Sequence, residues 1–226
     1  MAAGCTIAVM QPYFMPYAGY FRLFAAADLV VLFDCVQFPR RGRVHRNILP
    51  LADGRAEWLT LPVAASPRHT RISEIRFNEE HLADWPRRLD RFPSLREPAD
   101  PERRHLQTVV RNIDVGFVDF LTRGLAETCK SLMLPFNVVR SSDLDMPAEL
   151  VGEERVIAIV EALGGSVYVN SPGGLSYYNP DLFRRRGIEL KFLAPFGGSN
   201  WSILHRLMVE RCADVALEVR RETQFL

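Results

Sequence analysis

The sequence predicts an α/β fold, a Rossmann-like and mostly parallel sheet flanked by helices. Three observations predict it. Short apolar runs alternate with helical stretches of about 10–15 residues, the pattern of parallel sheets with crossover helices. Leu29–Phe33 (LVVLF) is apolar throughout, as a strand covered on both faces requires. The order strand, loop, helix, strand occurs near both ends of the chain.

Cys5–Met10 is a short apolar strand, and Gln11–Pro16 is a loop bracketed by prolines. Gly19–Ala27 reads as a helix and Leu29–Phe33 as the next strand. Trp58–Val63 and Ile72–Phe77 read as two further strands. Leu82–Arg91, Glu102–Asn112 and Phe117–Met133 are helical, and Phe136–Val139 is a strand. Ala148–Leu163 is a helix ended by Gly164-Gly165. Val167–Asn170, a loop, Pro180–Arg186 and Glu189–Leu193 form a strand–helix–strand unit. Asn179 caps its helix, with Pro180 at the first helical position. Trp201–Arg211 is the last helix, capped by Ser199 or Asn200. Arg91–Glu102, with three prolines and five charges, is the best linker. The flanking sequences do not look independently foldable. Residues 1–226 therefore read as one α/β domain with a helical insertion around 80–133.

Composition narrows the function classes. The chain has 226 residues, 48% hydrophobic and 24% charged, enough for a core without disulfide or metal. A net charge of +1 argues against a nucleic-acid scavenger. All the basic residues except Lys130 and Lys191 are arginines, whose forks suit phosphate and carboxylate. Cys5, Cys35, Cys129 and Cys212 show no CxxC spacing, so a reducing cytoplasm is expected. Met1–Phe21 carries no charge, but its prolines, Gln11 and Gly19 break a membrane helix, so no membrane insertion is expected. His69, His81, His105 and His205 are scattered, and HExxH, GxSxG, Walker A and GxGxxG are all missing. No metal and no required cofactor is expected.

Three clusters carry candidate chemistry, each following a strand, where ligands of parallel sheets bind. In the first, Gln11, Tyr13, Tyr17, Gly19 and Tyr20 are candidates to bind substrate. The aromatics can stack on a base or sugar ring, and Gly19 permits close approach of a ligand. The alternative is an aromatic corner of the core. In the second, Asp34 and His45 are candidate catalytic residues for proton transfer. Arg40, Arg43 and Arg46 can clamp a pyrophosphate, with Gln37 and Asn47 nearby. A solvated basic loop is the plainer reading, and Cys35 reads as a small buried cysteine. In the third, Ser171, Gly173, Gly174 and Tyr177 can present N–H groups to an anion, or form only a tight turn.

The residues Met10–Phe21 (MQPYFMPYAGYF), Asp34–Phe38, Arg46-Asn47 and Trp58–Val63, with Tyr168–Tyr177 and Gly187-Ile188-Glu189, resemble the WbqC-like family of bacterial proteins. The resemblance covers most of the chain. It implies an association with O-antigen or other polysaccharide and specialised-metabolite genes, and transfer of glycine or another acyl group to an amino sugar. Tyr17-Ala18-Gly19-Tyr20 is also similar in placement to the His-x-Gly-His of nucleotidylyltransferases, with tyrosine at both histidine positions.

The expectation is a cytoplasmic aminoacyl- or acyltransferase acting on the amine of a nucleotide-linked amino sugar. Asp34 or His45 would deprotonate the sugar ammonium, and Gln37, Asn47 or backbone N–H groups would hold the oxyanion. The acyl donor is open: an acyl carrier protein, a coenzyme A thioester or an ATP-activated amino acid. Two rivals stand beside it. One is an ATP-dependent amide ligase or nucleotidylyltransferase-like enzyme. The other is a non-catalytic nucleotide-sugar binding or assembly protein. Self-association is compatible with each.

Overall fold

The computed structural model describes residues 4–96 and 101–226. Five parallel strands form the central sheet: β1 (Cys5–Met10), β2 (Leu29–Leu32), β5 (Val138–Arg140), β6 (Gly165–Asn170) and β7 (Glu189–Phe192). Their spatial order is β5-β2-β1-β6-β7. Numbered along the chain, the sheet strands lie 3-2-1-4-5, the order of doubly wound dinucleotide-binding folds. Ala8 of β1 pairs with Val30 on one side and Val169 on the other. The strand order therefore reverses between β1 and β6.

Alternation along these strands divides two apolar layers. Ile7, Val9, Val31 and Tyr168 face α6 (Gly152–Ala162) and α7 (Pro180–Arg185), represented by Val156, Val160 and Phe183. Ala8, Val30, Leu32 and Val169 face the larger layer. That layer contains α1 (Arg22–Ala26), α5 (Phe117–Ser131), α8 (Ile203–Val209) and α9 (Cys212–Arg221). Val30, Val31 and Leu32 are at most 2% exposed. Burial of each such side chain is worth about 1.5–3 kcal/mol, so a four-residue strand is held by its cover on both faces.

An antiparallel hairpin, β3 (Arg46–Pro50) and β4 (Ala56–Thr60), stands apart from the central sheet. Its strands meet at Asp53-Gly54, with Gly54 at φ 79° as the turn requires. The sequence reading merged β3 into the basic loop, although the Asp-Gly pair marks the turn. Four helices follow: α2 (His81–Leu89), α3 (Pro93–Arg96), α4 (Pro101–Arg111) and α5. Residues 97–100 of the expected linker lie outside the described residues.

Two expected elements are corrected. Residues 72–77 are not a strand: Ile72–Glu74 form a 3-10 turn, and only an isolated bridge joins Val63 to Phe77. The buried residues are Ile72 and Ile75, three apart, whereas a strand would alternate Ile72, Glu74 and Arg76. The helix expected over 201–211 is shorter and is followed by a second. α8 ends at Val209, Glu210 is extended, and α9 carries Cys212, Val215, Ala216 and Val219 into the core. Ser202, not Ser199 or Asn200, caps α8, accepting from the Leu204 N–H at 3.3 Å.

A buried arginine ties the first quarter of the chain to the last. Arg22 is 0% exposed. Its guanidinium donates to the carbonyls of Gly19 (3.2 Å), Ala194 (2.9 Å) and Glu222 (2.8 Å) and lies over the Phe196 ring.

Candidate functional site

The reversal of strand order leaves a crevice beyond the carboxyl ends of β1 and β6, the position at which α/β sheets bind ligands. A cleft of about 520 Å³ occupies it. Val9, Met10, Gln11 and Tyr13 line it from β1 and the following loop, and Phe33 from beyond β2. Asn170, Ser171, Gly173, Gly174, Tyr177 and Tyr178 line it from β6 and the following turn. None of these is an aspartate, glutamate, lysine, arginine or histidine. A smaller concavity of about 400 Å³, including Ser166, Arg184 and Glu189, lies where β6 and β7 begin, away from this crevice.

The loop after β1 is held in an unusual conformation. Met15 has φ 42°, a left-handed conformation that is uncommon outside glycine. Its carbonyl accepts from the Ser202 hydroxyl at 2.7 Å and from the Asn47 amide. Asn47 is 0% exposed and also donates to the Phe14 carbonyl at 3.2 Å, while its Oδ1 accepts from Arg43 at 2.7 Å. The Tyr20 hydroxyl donates to the Gln11 carbonyl at 2.8 Å. These bonds fix the loop that presents Gln11 and Tyr13. Among the described residues, the Gln11 side-chain amide makes no hydrogen bond and is free to meet a ligand.

On the other wall, the Asn170 Oδ1 accepts the Ser171 N–H at 2.7 Å. A Cβ at Gly174 would stand 2.7 Å from the Asn170 Nδ2, so only glycine lets the turn close against this amide. Tyr168 donates to the Tyr178 hydroxyl at 3.2 Å. Tyr177 is 77% exposed and stands at the rim. Asn179 caps α7 by accepting the Asp181 N–H at 3.0 Å, with Pro180 following.

Six candidates thus meet in one cleft: Gln11, Tyr13, Ser171, Gly173, Gly174 and Tyr177. The others stand elsewhere. Tyr17 packs on Phe196 at 5.6 Å between ring centroids. A Cβ at Gly19 would come within 2.3 Å of the Tyr17 ring, so this glycine serves packing. Tyr20 is buried, and its hydroxyl is kept protonated by burial. Gln37 donates to the Arg68 carbonyl at 2.8 Å and Arg40 to the Ser66 carbonyl. Arg46 lies 4.3 Å over the Trp58 ring, with Arg43 at 5.7 Å. Arg43 connects this basic loop to the cleft: its charge draws the Tyr13 phenol down, against burial, which has the larger effect and raises it.

Asp34 and His45 do not line the cleft. Asp34 is 0% exposed and its carboxylate accepts from the Ser141 hydroxyl (3.0 Å), the Ser142 N–H (2.9 Å) and the Ser142 hydroxyl (2.8 Å). It joins the end of β2 to the turn after β5. His45 is 7% exposed, its ring packs on Phe38 at 5.0 Å, and its Nδ1 is buried without a partner. Burial, with Arg46 adding to it, pushes its pKa down to about 4. Cys35 is half-buried and receives a hydrogen bond from Arg155 at 3.4 Å. Asn170, Tyr178 and Phe33 also line the walls and are not among the expected binding residues. The available signal was their place at or beyond the carboxyl end of a strand: Asn170 closes β6, Phe33 follows β2, and Tyr178 lies between β6 and α7. Among the described residues, no group of three His, Cys, Asp or Glu side chains is placed to hold a metal ion, and no helix is long and apolar enough to cross a membrane.

This architecture, with its switch-point cleft, defines an α/β protein of Rossmann-like type. The WbqC-like protein family matches residues 11–202, and the chain belongs to that family. An uncharacterised Mycobacterium tuberculosis protein, Rv1507c, is 24% identical over 197 residues, covering 81% of this chain and 80% of its own. No solved structure matches the chain.

Proposed function

We propose that the protein is an aminoacyl- or acyltransferase that binds a nucleotide-linked amino sugar in the switch-point cleft and acylates its amine. One observation carries the reading: the cleft offers amides, tyrosines and a glycine turn, has no ionised wall residue, and its Tyr13 wall is joined to the arginine loop by the Phe14 N–H, which donates to the Arg43 carbonyl at 3.0 Å. A neutral ring suits such walls, and a diphosphate suits the arginine loop at their edge. The Gln11 and Asn170 amides would bond the ring hydroxyls.

The reaction class needs little from side chains. The free amine attacks the carbonyl carbon of an activated acyl group. A C–N bond forms, the bond to the leaving group breaks, and the amine proton leaves with a thiolate or to solvent. Holding both partners in line supplies the acceleration, and alignment of this kind is worth up to about 7–11 kcal/mol. Asp34 and His45 then act through the scaffold.

A second reading, a nucleotide-sugar binding or assembly protein, is favoured by the burial of both candidate bases and their absence from the cleft lining. One experiment separates them. Nucleotide-linked 3-amino and 4-amino sugars are added in a thermal-shift assay, then incubated with acyl thioesters and acyl adenylates and analysed by mass spectrometry. Binding with a mass gain on the sugar supports the transferase. Binding without product under every donor supports the carrier role, and no binding by any amino sugar overturns both.

A further inference from the structure

We infer that the arginine-bearing face beside the cleft is a docking surface for an acidic carrier protein that delivers the acyl group. This rests on the transferase reading above. Residues 36–38 run beside 70–72: the Phe38 N–H donates to the Thr70 carbonyl and the Ile72 N–H to the Val36 carbonyl, both at 2.9 Å. Gln37 bridges to Arg71, and Arg40 reaches the Ser66 carbonyl. The segment carrying Arg40 and Arg41 thereby runs beside the one carrying Arg68 and Arg71, with Arg76 further along that second segment on the Ser73 and Ile75 carbonyls, and Arg46 joins through the Arg41 carbonyl at 2.7 Å. Among the described residues, the guanidinium of none of these six forms an ion pair with a carboxylate.

The charge is local. Residues 36–76 hold eight arginines against three carboxylates, although the whole chain has 28 basic and 27 acidic residues. Of those eight, Arg55 is neutralised by Asp53 at 2.6 Å. The Glu74 carboxylate sits within the face and accepts the Arg71 N–H at 2.8 Å.

A diphosphate engages about two or three guanidinium groups, so six spread over two loops exceed what one small anion can use. A nucleic acid would want open aromatic faces, but Trp58 is covered by Arg46. An acidic protein surface matches a broad set of exposed, separated forks. A carrier bearing its acyl thioester on a flexible phosphopantetheine arm could dock here, and the Phe14 N–H, donating to the Arg43 carbonyl at 3.0 Å, joins this face to the loop that presents Tyr13 to the cleft.

The test uses the full chain, a purified acidic acyl carrier protein in holo form, and an Arg68→Glu/Arg71→Glu double variant. Both residues are exposed and outside the cleft. The wild-type protein should bind the carrier, more weakly as salt is raised, and the variant should bind at least about tenfold more weakly with an unchanged melting temperature. Transfer from a small phosphopantetheine thioester should be equal in both. Failure of the wild-type protein to bind, or equal binding by the variant, overturns the inference. So does binding of a single-stranded RNA oligonucleotide in place of the carrier. Salt-dependent carrier binding that is lost in the variant, with no acyl transfer from any donor, sustains the docking surface and removes the transferase reading alone.

Discussion

His45 is buried and held neutral, which makes it a source of acid sensitivity. An unfolded histidine takes up a proton near pH 6.5, whereas the folded one resists until about 4. Between those values the unfolded chain binds more protons, so stability is full above pH 6.5 and is lost as pH falls toward 4. Allowing for partial solvent screening, the loss is about 2 kcal/mol. Urea melts at pH 4.5 and 7 should show that His45→Phe flattens this dependence. Asp34 carries a different expectation. Its carboxylate receives three hydrogen bonds from Ser141 and Ser142, and Asp34→Asn turns one acceptor oxygen into an amide NH2 facing donors. The cost should be about 1–3 kcal/mol of unfolding free energy. Full stability with abolished acylation would instead return Asp34 to the chemistry. Both residues stand out in the sequence because histidine and aspartate look alike whether they serve a ligand or a scaffold. What separates the two cases is burial and partners from residues 141 and 142, over 100 positions away.

At the level of elements, two glycines that look equivalent on paper differ in surroundings. Gly19→Ala places a methyl group 2.3 Å from the Tyr17 ring and 2.8 Å from Phe196, and should cost about 1–3 kcal/mol in a chemical melt. At Gly173 the nearest atom to an added Cβ is 4.0 Å away, so Gly173→Ala should fold normally. Because Gly173 lines the cleft, that variant should change amino-sugar affinity, measured by calorimetry. The α8–α9 corner makes another prediction. Arg206, with a side chain 7% exposed, pairs with Glu210 and Glu218, both at 2.6 Å. Glu218→Ala removes one of two partners from a buried cation that Glu210 still holds, and should cost about 1.5 kcal/mol, seen as a lowered denaturant midpoint. The strands of the central sheet were legible because continuous apolar runs have few other uses. The hairpin, the 72–75 turn and α9 were not, because each depends on which side chains the rest of the molecule covers. Ile72 and Ile75 fit a turn or a strand equally until their burial is known.

Across the whole molecule, the sheet order is what gives the cleft its place. Gln11 and Ser171 are 160 residues apart, and the pairing of β1 with β6 sets them on facing walls. A loop–helix pattern after each strand was enough to point at both segments; nothing in the pattern said that these two would be neighbours, or that the Phe14 N–H would tie the first of them to the arginine loop at the Arg43 carbonyl. The buried Arg22 extends this dependence into time. Two of its carbonyl acceptors belong to residues 194 and 222, 172 and 200 positions further along. Ribosomes add about 5–20 residues each second, so Arg22 stays in water for many seconds before those acceptors emerge. The first helix can take up these contacts only once residue 222 has emerged. Until then Cys5–Ala26, which supplies one wall of the cleft, lacks two of the bonds that hold Arg22 in the folded protein.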